Sequence, residues 1–456
     1  MEVSFDGASA RFPLHDISAS GVAVVWGAGP APALGDRIAS VVVGFDDHVA
    51  YRGPVRVASI RDLGGTAVVG FAFTGGLVDV APVLELRDSI RQMASSVPRG
   101  GARSWYVEGA AEWKACVGDL RLLFEDARAR LDELDASLPC AHAESNALVR
   151  GAMEQWISAE IVPALLDGMD AVHAALPAAR SVPREALAEY SRRHLDAFIL
   201  ESRCARRALE KPLGYPGDYQ LMVGVYGPAY VGPTLFARAM NALFVSTPGA
   251  RAVRARKDLV RRELAERVAR GGAGERPIRI LSIASGPAEE TYELLLGANE
   301  LTRPLEIVLF EQDQSALSYC HARLEPLVSR CAGRVRVRYV HDTIKRLLRD
   351  PAALQDLGAF DVVFSCGLFD YLPRRSAAAL TGVLWSHLAE GGSLYIGNMV
   401  PSSPSRWMIE FHCDWHLIYR EHDEMLDFAR AGAPDASAAI LVEPTGVNPL
   451  VVLRRS

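Results

Sequence analysis

The feature that most constrains the fold of this chain is a regular alternation between residues 278 and 398. Short apolar runs, typical of buried strands, alternate there with stretches in which apolar residues recur every three or four positions, as on one face of a helix. We predict strands at 278–283, 305–311, 335–340, 360–365 and 393–398, separated by helices at 288–296, 314–327, 344–349 and 375–389. This order indicates a parallel, doubly wound sheet.

The first of these strands ends in a turn of small residues, Ala284, Ser285 and Gly286, and a helical pattern follows it. Small residues let a ligand approach the backbone closely, and the start of a helix offers unpaired N–H groups to a polar ligand. The next apolar run ends at Glu311, about 25 residues further on, where nucleoside-binding α/β folds place a carboxylate for the ribose. The turn and the carboxylate together predict a nucleoside site.

The end of the chain breaks the alternation. Two apolar runs, 439–443 and 449–453, are joined by a short turn that contains Pro444 and Gly446. A hairpin at the end of an otherwise parallel sheet implies one reversed strand.

The N-terminal part has a different composition. Short β-rich runs alternate with Gly, Pro and Asp and predict a small antiparallel barrel with strands at 21–26, 37–44, 55–60 and 67–73. Asp16 and Ser18 are predicted to form a turn before the first of these strands. We therefore divide the chain into a barrel at 1–95, a helical segment at 104–232 and an α/β domain at 233–456.

The helical segment contains two distinct signals. Its apolar stripes, such as Trp113, Val117, Leu120, Leu123 and Phe124, predict core packing in about three helices before residue 210. A later stretch at 210–222 contains two Pro and two Gly together with polar and aromatic side chains. Ordering such a loop costs entropy, which favours a lid or binding loop over a plain connector.

Composition excludes several classes of function. The chain has 456 residues, half of them hydrophobic, and a net charge of −6, so no global basic field favours a nucleic-acid partner. Its seven cysteines are scattered and form no CxxC pair, as expected of reduced thiols. The start lacks a signal-peptide pattern, and no apolar run reaches the roughly 18 to 20 residues that a membrane helix requires. We expect a cytoplasmic protein with no membrane span.

The α/β part resembles a class I S-adenosylmethionine-dependent methyltransferase, both in its order of elements and in its motifs. The resemblance implies a Rossmann-like sheet and S-adenosyl-L-methionine as cofactor. It departs from the family pattern at the glycine-rich turn, which has the single Gly286, and at Ser282, where an acidic residue is common. The cofactor residues that it implies are Ala284, Ser285 and Gly286 at the turn, Glu311 and Gln312 at the ribose, Asp342 and Thr343 at the adenine, and Cys366 and Gly367 under the sulfonium.

A narrower resemblance is carried by the motifs at 211–219, 369–373, 397–398 and 408–420, and it spans roughly residues 185–456. These motifs look like those of the methyltransferase subfamily that makes hydroxy-fatty-acid methyl esters as bacterial signals. The resemblance implies a small carboxylate or hydroxy (fatty) acid as the acceptor. It implies a catalytic cover over the donor made of Tyr215, Asp218, Tyr219, Tyr371 and Asn398, and an acceptor pocket shaped by Trp415, Tyr419 and Arg420.

Two charged residues receive specific roles at this site. Asp218 is expected to accept a hydrogen bond from the methionine ammonium, and Arg256 to pair with a carboxylate of the cofactor or substrate. His412 and His416 have the i, i+4 spacing of a metal pair, but no third ligand stands at a convincing spacing, so we predict no metal site. Cys366 has no evident His partner, which favours packing over a role as nucleophile.

The barrel resembles a PilZ domain, through Asp16, Ser18 and Gly21 and through the stretch 69–73. That family binds cyclic di-GMP with an Arg-rich arm upstream of the first motif. Only Arg11 precedes Asp16 here, so the paired Arg clamp is missing. We favour a structural or partner-docking role for the barrel over binding of cyclic di-GMP.

Two other functions stay open from sequence. One is another reaction of the same cofactor, either cyclisation or aminocarboxypropyl transfer, which would yield methylthioadenosine. The other is a cyclic di-GMP-responsive sensor with a degenerate methyltransferase domain. The sequence also leaves the oligomeric state open.

Overall fold

The computed structural model describes residues 2–5, 11–18, 20–27, 31–45, 48–62, 66–76, 110–137, 147–271, 274–297 and 301–455. The chain divides into two compact units, Met1–Ser104 and Trp105–Ser456. The sequence-predicted joint at 97–102 and the thiol of Cys140 lie outside the described residues. Among the described helices, none is both long and apolar enough to cross a membrane.

The first unit is a closed barrel of antiparallel strands in the order β1-β2-β3-β6-β5-β4. The strands are β1 (Glu2–Phe5), β2 (Arg11–Ser18), β3 (Gly21–Trp26), β4 (Arg37–Phe45), β5 (His48–Asp62) and β6 (Ala67–Phe73). Buried Val and aromatic side chains fill its interior, among them Val24, Val57 and Phe71. The predicted small antiparallel barrel is confirmed, whereas its PilZ identity stays a prediction.

The predicted turn at Asp16 and Ser18 is wrong, because both residues lie in β2. Asp16 is the register partner of Ala23 on β3, and it is exposed. A register shift between Leu14 and Asp16 breaks the period-two pattern that reveals a strand in sequence. Gly21 begins the next strand, where a Cβ would lie 2.4 Å from the carbonyl oxygen of Phe71, so only glycine permits this close approach of β6.

The second unit begins with helices that pack around one large core. Their bounds are α1 (Ala111–Ser137), α2 (Ala147–Trp156), α3 (Val162–Ala175), α4 (Arg184–Ile199), α5 (Arg203–Glu210), α6 (Tyr219–Tyr226), α7 (Leu235–Ser246) and α8 (Pro248–Arg270). A π-helical stretch, Ile157–Ile161, joins α2 to α3, and a 3-10 turn, Leu176–Ala179, follows α3. From residue 105 onward, the helical segment predicted at 104–232 belongs to this unit, where α1 and α3 pack against α7.

The predicted apolar stripe on α1 is largely confirmed. Trp113, Val117, Leu120 and Phe124 are buried in the core of this part of the chain. Leu123 is instead 37% exposed, because it lies beside the stripe rather than within it.

The rest of the second unit is a seven-stranded sheet in the order β12-β13-β11-β10-β7-β8-β9. The strands are β7 (Ile278–Ile283), β8 (Leu305–Glu311), β9 (Val335–His341), β10 (Phe360–Ser365), β11 (Leu388–Gly397), β12 (Ser437–Leu441) and β13 (Leu450–Arg454). The helices are α9 (Glu289–Leu296), α10 (Gln314–Arg330), α11 (Ile344–Arg349), α12 (Arg374–Ser386), α13 (Arg406–His412) and α14 (His422–Gly432). Short 3-10 turns lie at Pro351–Leu357 and Phe369–Tyr371.

The five strands β7 to β11 are parallel to one another, and β13 runs antiparallel to both β11 and β12. The predicted doubly wound sheet with one reversed strand is thereby confirmed. One face packs on α8, α9 and α10, and the other packs on α11, α12 and α14, so that the sheet has a hydrophobic core on each side.

The strand order fixes where a ligand fits. From β7 the chain moves outward to β8 and β9, and it then returns to β10 on the other side of β7. In open α/β sheets, ligands bind outside the carboxyl ends of the strands at such a switch point. The loops after β7, β8 and β10 therefore form the candidate site.

Candidate functional site

The turn after β7 has a strained backbone. Ala284, Gly286 and Ala288 all lie in the left-handed region, with φ of +53°, +52° and +50°. Left-handed conformation is unfavourable for alanine, and such strain persists where the surroundings fix it, often at functional sites. The side-chain oxygen of Ser285 is buried and has no hydrogen-bond partner among the described residues. The turn thus presents an unpaired buried hydroxyl where the strand ends.

Glu311 lies at the end of β8 and faces this turn. One carboxylate oxygen accepts from the backbone N–H of Gly286 at 2.9 Å, and the other accepts from those of Gln312 and Asp313 at 2.8 and 3.1 Å. Burial raises the pKa of Glu311, and the three N–H groups oppose that rise. A carboxylate oxygen accepts more than one hydrogen bond, so the oxygen bonded to Gly286 keeps acceptor capacity for a ligand.

The loop after β9 adjoins Glu311, because the N–H of Asp342 donates to the Glu311 carbonyl at 3.1 Å. The carboxylate of Asp342 pairs with Arg346 at 2.9 Å and accepts from the Thr343 N–H at 2.8 Å. The Thr343 hydroxyl caps α11. Both predicted adenine-side residues are therefore at this edge of the site, with their polar groups already engaged in holding the loop.

Arg256 projects from α8 to the loop after β10. Its guanidinium donates to the Cys366 carbonyl at 2.9 Å, and its Nε is buried with no partner among the described residues. A Cβ at Gly367 would lie 3.5 Å from the same guanidinium. The Cys366 thiol donates to a carboxylate oxygen of Glu290 at 3.3 Å. The predicted residues Arg256, Cys366 and Gly367 are thus in one place, and burial keeps the Cys366 thiol protonated by raising its pKa.

Three residues of this buried cluster were not predicted. Glu290, on α9, and Asp370, after β10, are 5% and 3% exposed, and the ring of Tyr226 lies within electrostatic range of Arg256 and Glu290. Burial raises the pKa of Asp370 to about 6, opposed by the Met399 N–H and by Arg256. Glu290 belongs to the first turn after the Gly286 loop, which is the signal that could have identified it.

The Gly/Pro loop before α6 reaches the same site through Tyr215. The phenol is half-buried, and burial raises its pKa. The negative charges of the Glu311 and Asp313 carboxylates add to this rise in the pKa of Tyr215.

Asp218 and Tyr219 have structural partners. The Asp218 carboxylate is 2% exposed, caps α6 by accepting from the Leu221 N–H at 2.8 Å, and pairs with Arg207 at 2.7 Å. Helix capping and the ion pair account for the buried Asp218 carboxylate, and its expected role as acceptor for an ammonium group stays a prediction. Tyr219 is buried against the ring of Tyr319, with their centroids 5.6 Å apart.

The same loop packs against Tyr371 and Trp415. The indole N–H of Trp415 donates to the Tyr371 hydroxyl at 2.8 Å, and a Cβ at Gly217 would lie 2.8 Å from the indole and 3.0 Å from that hydroxyl. Lys211 and Asp414 tie the two segments together with an ion pair of 2.6 Å. The structure thereby brings together the predicted lid loop, a predicted catalytic residue and a predicted acceptor-pocket residue.

Asn398, predicted in the cover over the donor, is completely buried, which corrects that prediction, whereas the predicted role of Arg420 in shaping the acceptor pocket stays a prediction. Both are buried: Arg420 donates to the Asn398 side chain at 2.5 Å, to the Phe369 carbonyl at 2.8 Å and to the Leu372 carbonyl. The amide of Asn398 donates to the Ile418 carbonyl at 2.9 Å. The physical reason is that backbone carbonyls of the neighbouring loops need buried donors, which the Asn398 amide and the guanidinium fork of Arg420 supply.

Tyr419 borders the site in a different way. Its ring lies under the guanidinium of Arg406, 4.5 Å from the ring centroid, and its hydroxyl is buried with no hydrogen-bond partner among the described residues. Burial raises the pKa of this phenol.

His412 is held within the core. Its ring nitrogens lie 2.8 Å from the Ser191 hydroxyl and 2.6 Å from the Asp196 carboxylate, and the side chain is fully buried. Helix α13 ends at His412, so His416 is not on the same helix face; it is exposed and contacts Asp414 at 3.1 Å. Within the described part of the chain, no group of three or more His, Cys, Asp and Glu side chains has the geometry to hold a metal ion.

No protein-family model and no curated protein matches this chain. Among solved structures, a possible exported protein from Bordetella parapertussis is 17% identical and covers 60% of this chain and 97% of its own, at a TM-score of 0.43. Magnesium protoporphyrin IX methyltransferase (ChlM) from Synechocystis PCC 6803, with bound SAH, is 12% identical over 51% of this chain and 91% of its own, at a TM-score of 0.37. The N-methyltransferase NodS from Bradyrhizobium japonicum, in complex with SAH, is 14% identical over 44% and 87%, at a TM-score of 0.30. At TM-scores below 0.5, these similarities assign neither a family nor an activity to this chain.

Proposed function

We propose that the second unit is an S-adenosylmethionine-dependent methyltransferase that acts on a small carboxylate or hydroxy acid. The observation that carries the proposal is the pairing of Glu311 with the strained turn at Gly286. A carboxylate at the end of the second strand of a doubly wound sheet, held by backbone N–H groups beside an open turn, suits the two hydroxyls of a ribose. At Gly286 itself, a Cβ would meet no atom within 4 Å, so the space beside the turn is open.

The unpaired buried polar atoms fit the rest of the cofactor. The Ser285 hydroxyl and the Arg256 Nε are buried without partners among the described residues, and each such atom is unfavourable by about 1–3 kcal/mol unless a ligand pairs with it. Arg256 supplies a cation for a carboxylate, and Glu290 and Asp370 supply acceptors for an ammonium group. An amino-acid moiety carries both groups, so this cluster is suited to the methionine end of the cofactor.

The bound donor supplies a methyl group on a leaving sulfur that is already positively charged. The protein's own task is to align the acceptor and to exclude water. Tyr215, Tyr371 and Trp415 form an aromatic cover, closed by the contact of Gly217 with the last two. A carboxylate acceptor is ionised near neutral pH and needs no general base. The residues therefore act by position and by exclusion of water.

Product analysis tests this proposal. We would incubate the full chain with S-adenosylmethionine and a panel of short and medium-chain hydroxy acids, and identify the nucleoside products by mass spectrometry. S-adenosylhomocysteine is the expected product. Methylthioadenosine would instead indicate cyclisation or aminocarboxypropyl transfer. If calorimetry shows tight binding of cyclic di-GMP and none of S-adenosylmethionine, the protein is a sensor and the proposal is wrong.

A further inference from the structure

A buried carboxylate with two guanidinium groups lies beside Tyr419. Glu410, on α13, has a side chain that is 5% exposed; it pairs with Arg406 at 2.7 Å and, through its other oxygen, with Arg184 at the start of α4. Among the described residues, Arg184 and Arg406 form ion pairs with Glu410 alone. One negative and two positive groups leave the cluster with a net charge of +1.

Both guanidinium groups keep donors for a ligand. Their faces are covered, since Arg184 lies over the ring of Phe411 and Arg406 lies over the ring of Tyr419. Their side chains are nevertheless 45% and 39% exposed. A guanidinium carries five N–H donors in a planar fork, and pairing with Glu410 uses only some of them. The exposed edges remain suited to a second carboxylate.

The hydroxyl of Tyr419 is the second, independent observation. It is a buried O–H with no partner among the described residues, beside a cluster of positive charge. Buried polar groups are normally hydrogen-bonded, and an exception points to a missing ligand or water. Tyr419 follows Ile418, whose backbone N–H donates to the Asp370 carbonyl at 2.7 Å, so the cluster adjoins the proposed acceptor side of the site.

We propose that Arg184, Arg406 and Tyr419 form a subsite that anchors an anionic group of the acceptor, most simply a carboxylate. This inference rests on the proposed function and adds to it the charge of the acceptor.

The alternative is that the Arg–Glu–Arg cluster only ties α4 to α13. Tyr419→Phe distinguishes a ligand subsite from a purely structural cluster, because the Tyr419 hydroxyl forms no hydrogen bond with the described residues. A second variant, Arg406→Gln, removes one positive charge from the cluster. Arg193→Gln is the matched control, because Arg193 is also an exposed Arg but pairs with Glu189 on the outer side of α4.

The probes are 3-hydroxydecanoate and its neutral amide, titrated by calorimetry into the full chain saturated with S-adenosylhomocysteine. We expect wild type and Arg193→Gln to bind the carboxylate more tightly than the amide. Tyr419→Phe and Arg406→Gln should each weaken binding of the carboxylate by about tenfold or more, as expected for charge-assisted hydrogen bonds. The affinities for the amide and for S-adenosylhomocysteine should stay unchanged.

Equal affinity of wild type for carboxylate and amide overturns the inference, as does unchanged carboxylate binding in Tyr419→Phe. If wild type binds S-adenosylhomocysteine but neither probe, the subsite is wrong while the cofactor assignment stands. If wild type does not bind S-adenosylhomocysteine at all, the proposed function itself fails.

Discussion

At the scale of single residues, the site is marked by polar atoms that the fold leaves unpaired. Ser285 Oγ, Arg256 Nε and the Tyr419 hydroxyl are all buried without partners among the described residues. Asn398 and Arg420, by contrast, are completely engaged with backbone and with each other. Folding alone does not account for the first three, whereas it accounts for the other two. These unmet hydrogen bonds support the proposed site, and buried atoms elsewhere, such as Trp113 Nε1 and Tyr339 Oη, are unpaired as well.

Replacing Glu311 tests the ribose assignment. Glu311→Ala removes an acceptor for which hydrogen bonds to a charged group contribute about 1.5–3 kcal/mol each, so we expect S-adenosylhomocysteine to bind at least about tenfold more weakly in calorimetry. Glu306→Ala is the matched control, because Glu306 lies on the same strand but pairs with Arg279 away from the turn. Its affinity should match that of wild type. An unchanged affinity in Glu311→Ala would falsify the assignment.

Asp370 gives a pH dependence of stability. Its pKa is raised from 3.8 to about 6 in the folded protein, so the folded state holds a proton that the unfolded state has lost between these values. Stability therefore falls as the pH rises through this window and levels off above it. Between pH 8 and pH 5, wild type should gain about 1.4 kcal/mol from this group.

The check is urea unfolding of wild type and Asp370→Asn at pH 5 and pH 8. The variant lacks the ionisation, so its stability relative to wild type should be higher at pH 8 than at pH 5 by about 1.4 kcal/mol. A difference that does not vary with pH shows that Asp370 titrates normally in the folded protein.

At the scale of elements, sequence patterns succeed where burial is simple. β7, β8 and β10 begin and end as predicted, because strands buried on both faces are unbroken apolar runs. β11 begins at Leu388, five residues before the predicted start at 393, since Gly391 and Gly392 indicate a turn although they lie within the strand. Sequence spacing locates an element but not the direction of a side chain within a loop.

The direction of side chains explains the correction at Asn398. Asn398 and Arg420 stand in motifs of the resembled subfamily, which predict their position near the crevice. The Asn398 amide turns toward the backbone carbonyl of Ile418, and the Arg420 guanidinium turns toward those of Phe369 and Leu372, whose need for donors arises only in the folded loops. Glu290 was missed because a glutamate in the first turn of a helix is normally a surface residue, whose negative charge interacts favourably with the helix dipole.

The Gly/Pro loop contains two glycines whose substitution distinguishes the effect of backbone strain from the effect of contact with Trp415 and Tyr371. Gly214 and Gly217 both have positive φ, at +84° and +74°, but only a Cβ at Gly217 would meet Trp415 and Tyr371. Each Gly→Ala substitution should lower the stability by roughly 1 kcal/mol through its backbone conformation. Only Gly217→Ala should also displace the cover over the site.

Activity assays and tryptophan fluorescence distinguish these two glycine variants. We expect Gly217→Ala to change the emission of Trp415 and to lower kcat for methyl transfer by tenfold or more, while Gly214→Ala retains both. Trp415→Phe provides the background emission of the other tryptophans. Equal losses of activity in the two glycine variants would show that the loop contributes through its stability and not through its contact with Trp415.

At the scale of the whole molecule, the chain has two units with cores of their own. The barrel core is formed by residues between Phe12 and Phe73, and the cores of the second unit begin at Ala110. Every residue proposed to contact the cofactor belongs to the second unit. A ligand that binds only one unit stabilises only that unit, by RT ln(1 + [L]/Kd). The division of the chain therefore predicts how heat unfolds it.

Differential scanning calorimetry of the full chain should show two transitions, one for each unit. S-adenosylhomocysteine at a hundred times its Kd should stabilise the second unit by about 2.7 kcal/mol and raise its Tm by a few degrees, leaving the barrel transition in place. Glu311→Ala should lose most of that shift at the same ligand concentration. Cyclic di-GMP should move neither transition, because the barrel has Arg11 but no second Arg in the upstream arm. If cyclic di-GMP raises the Tm of the barrel transition, one Arg suffices to bind the dinucleotide. If a single transition shifts as a whole with S-adenosylhomocysteine, the two units unfold together.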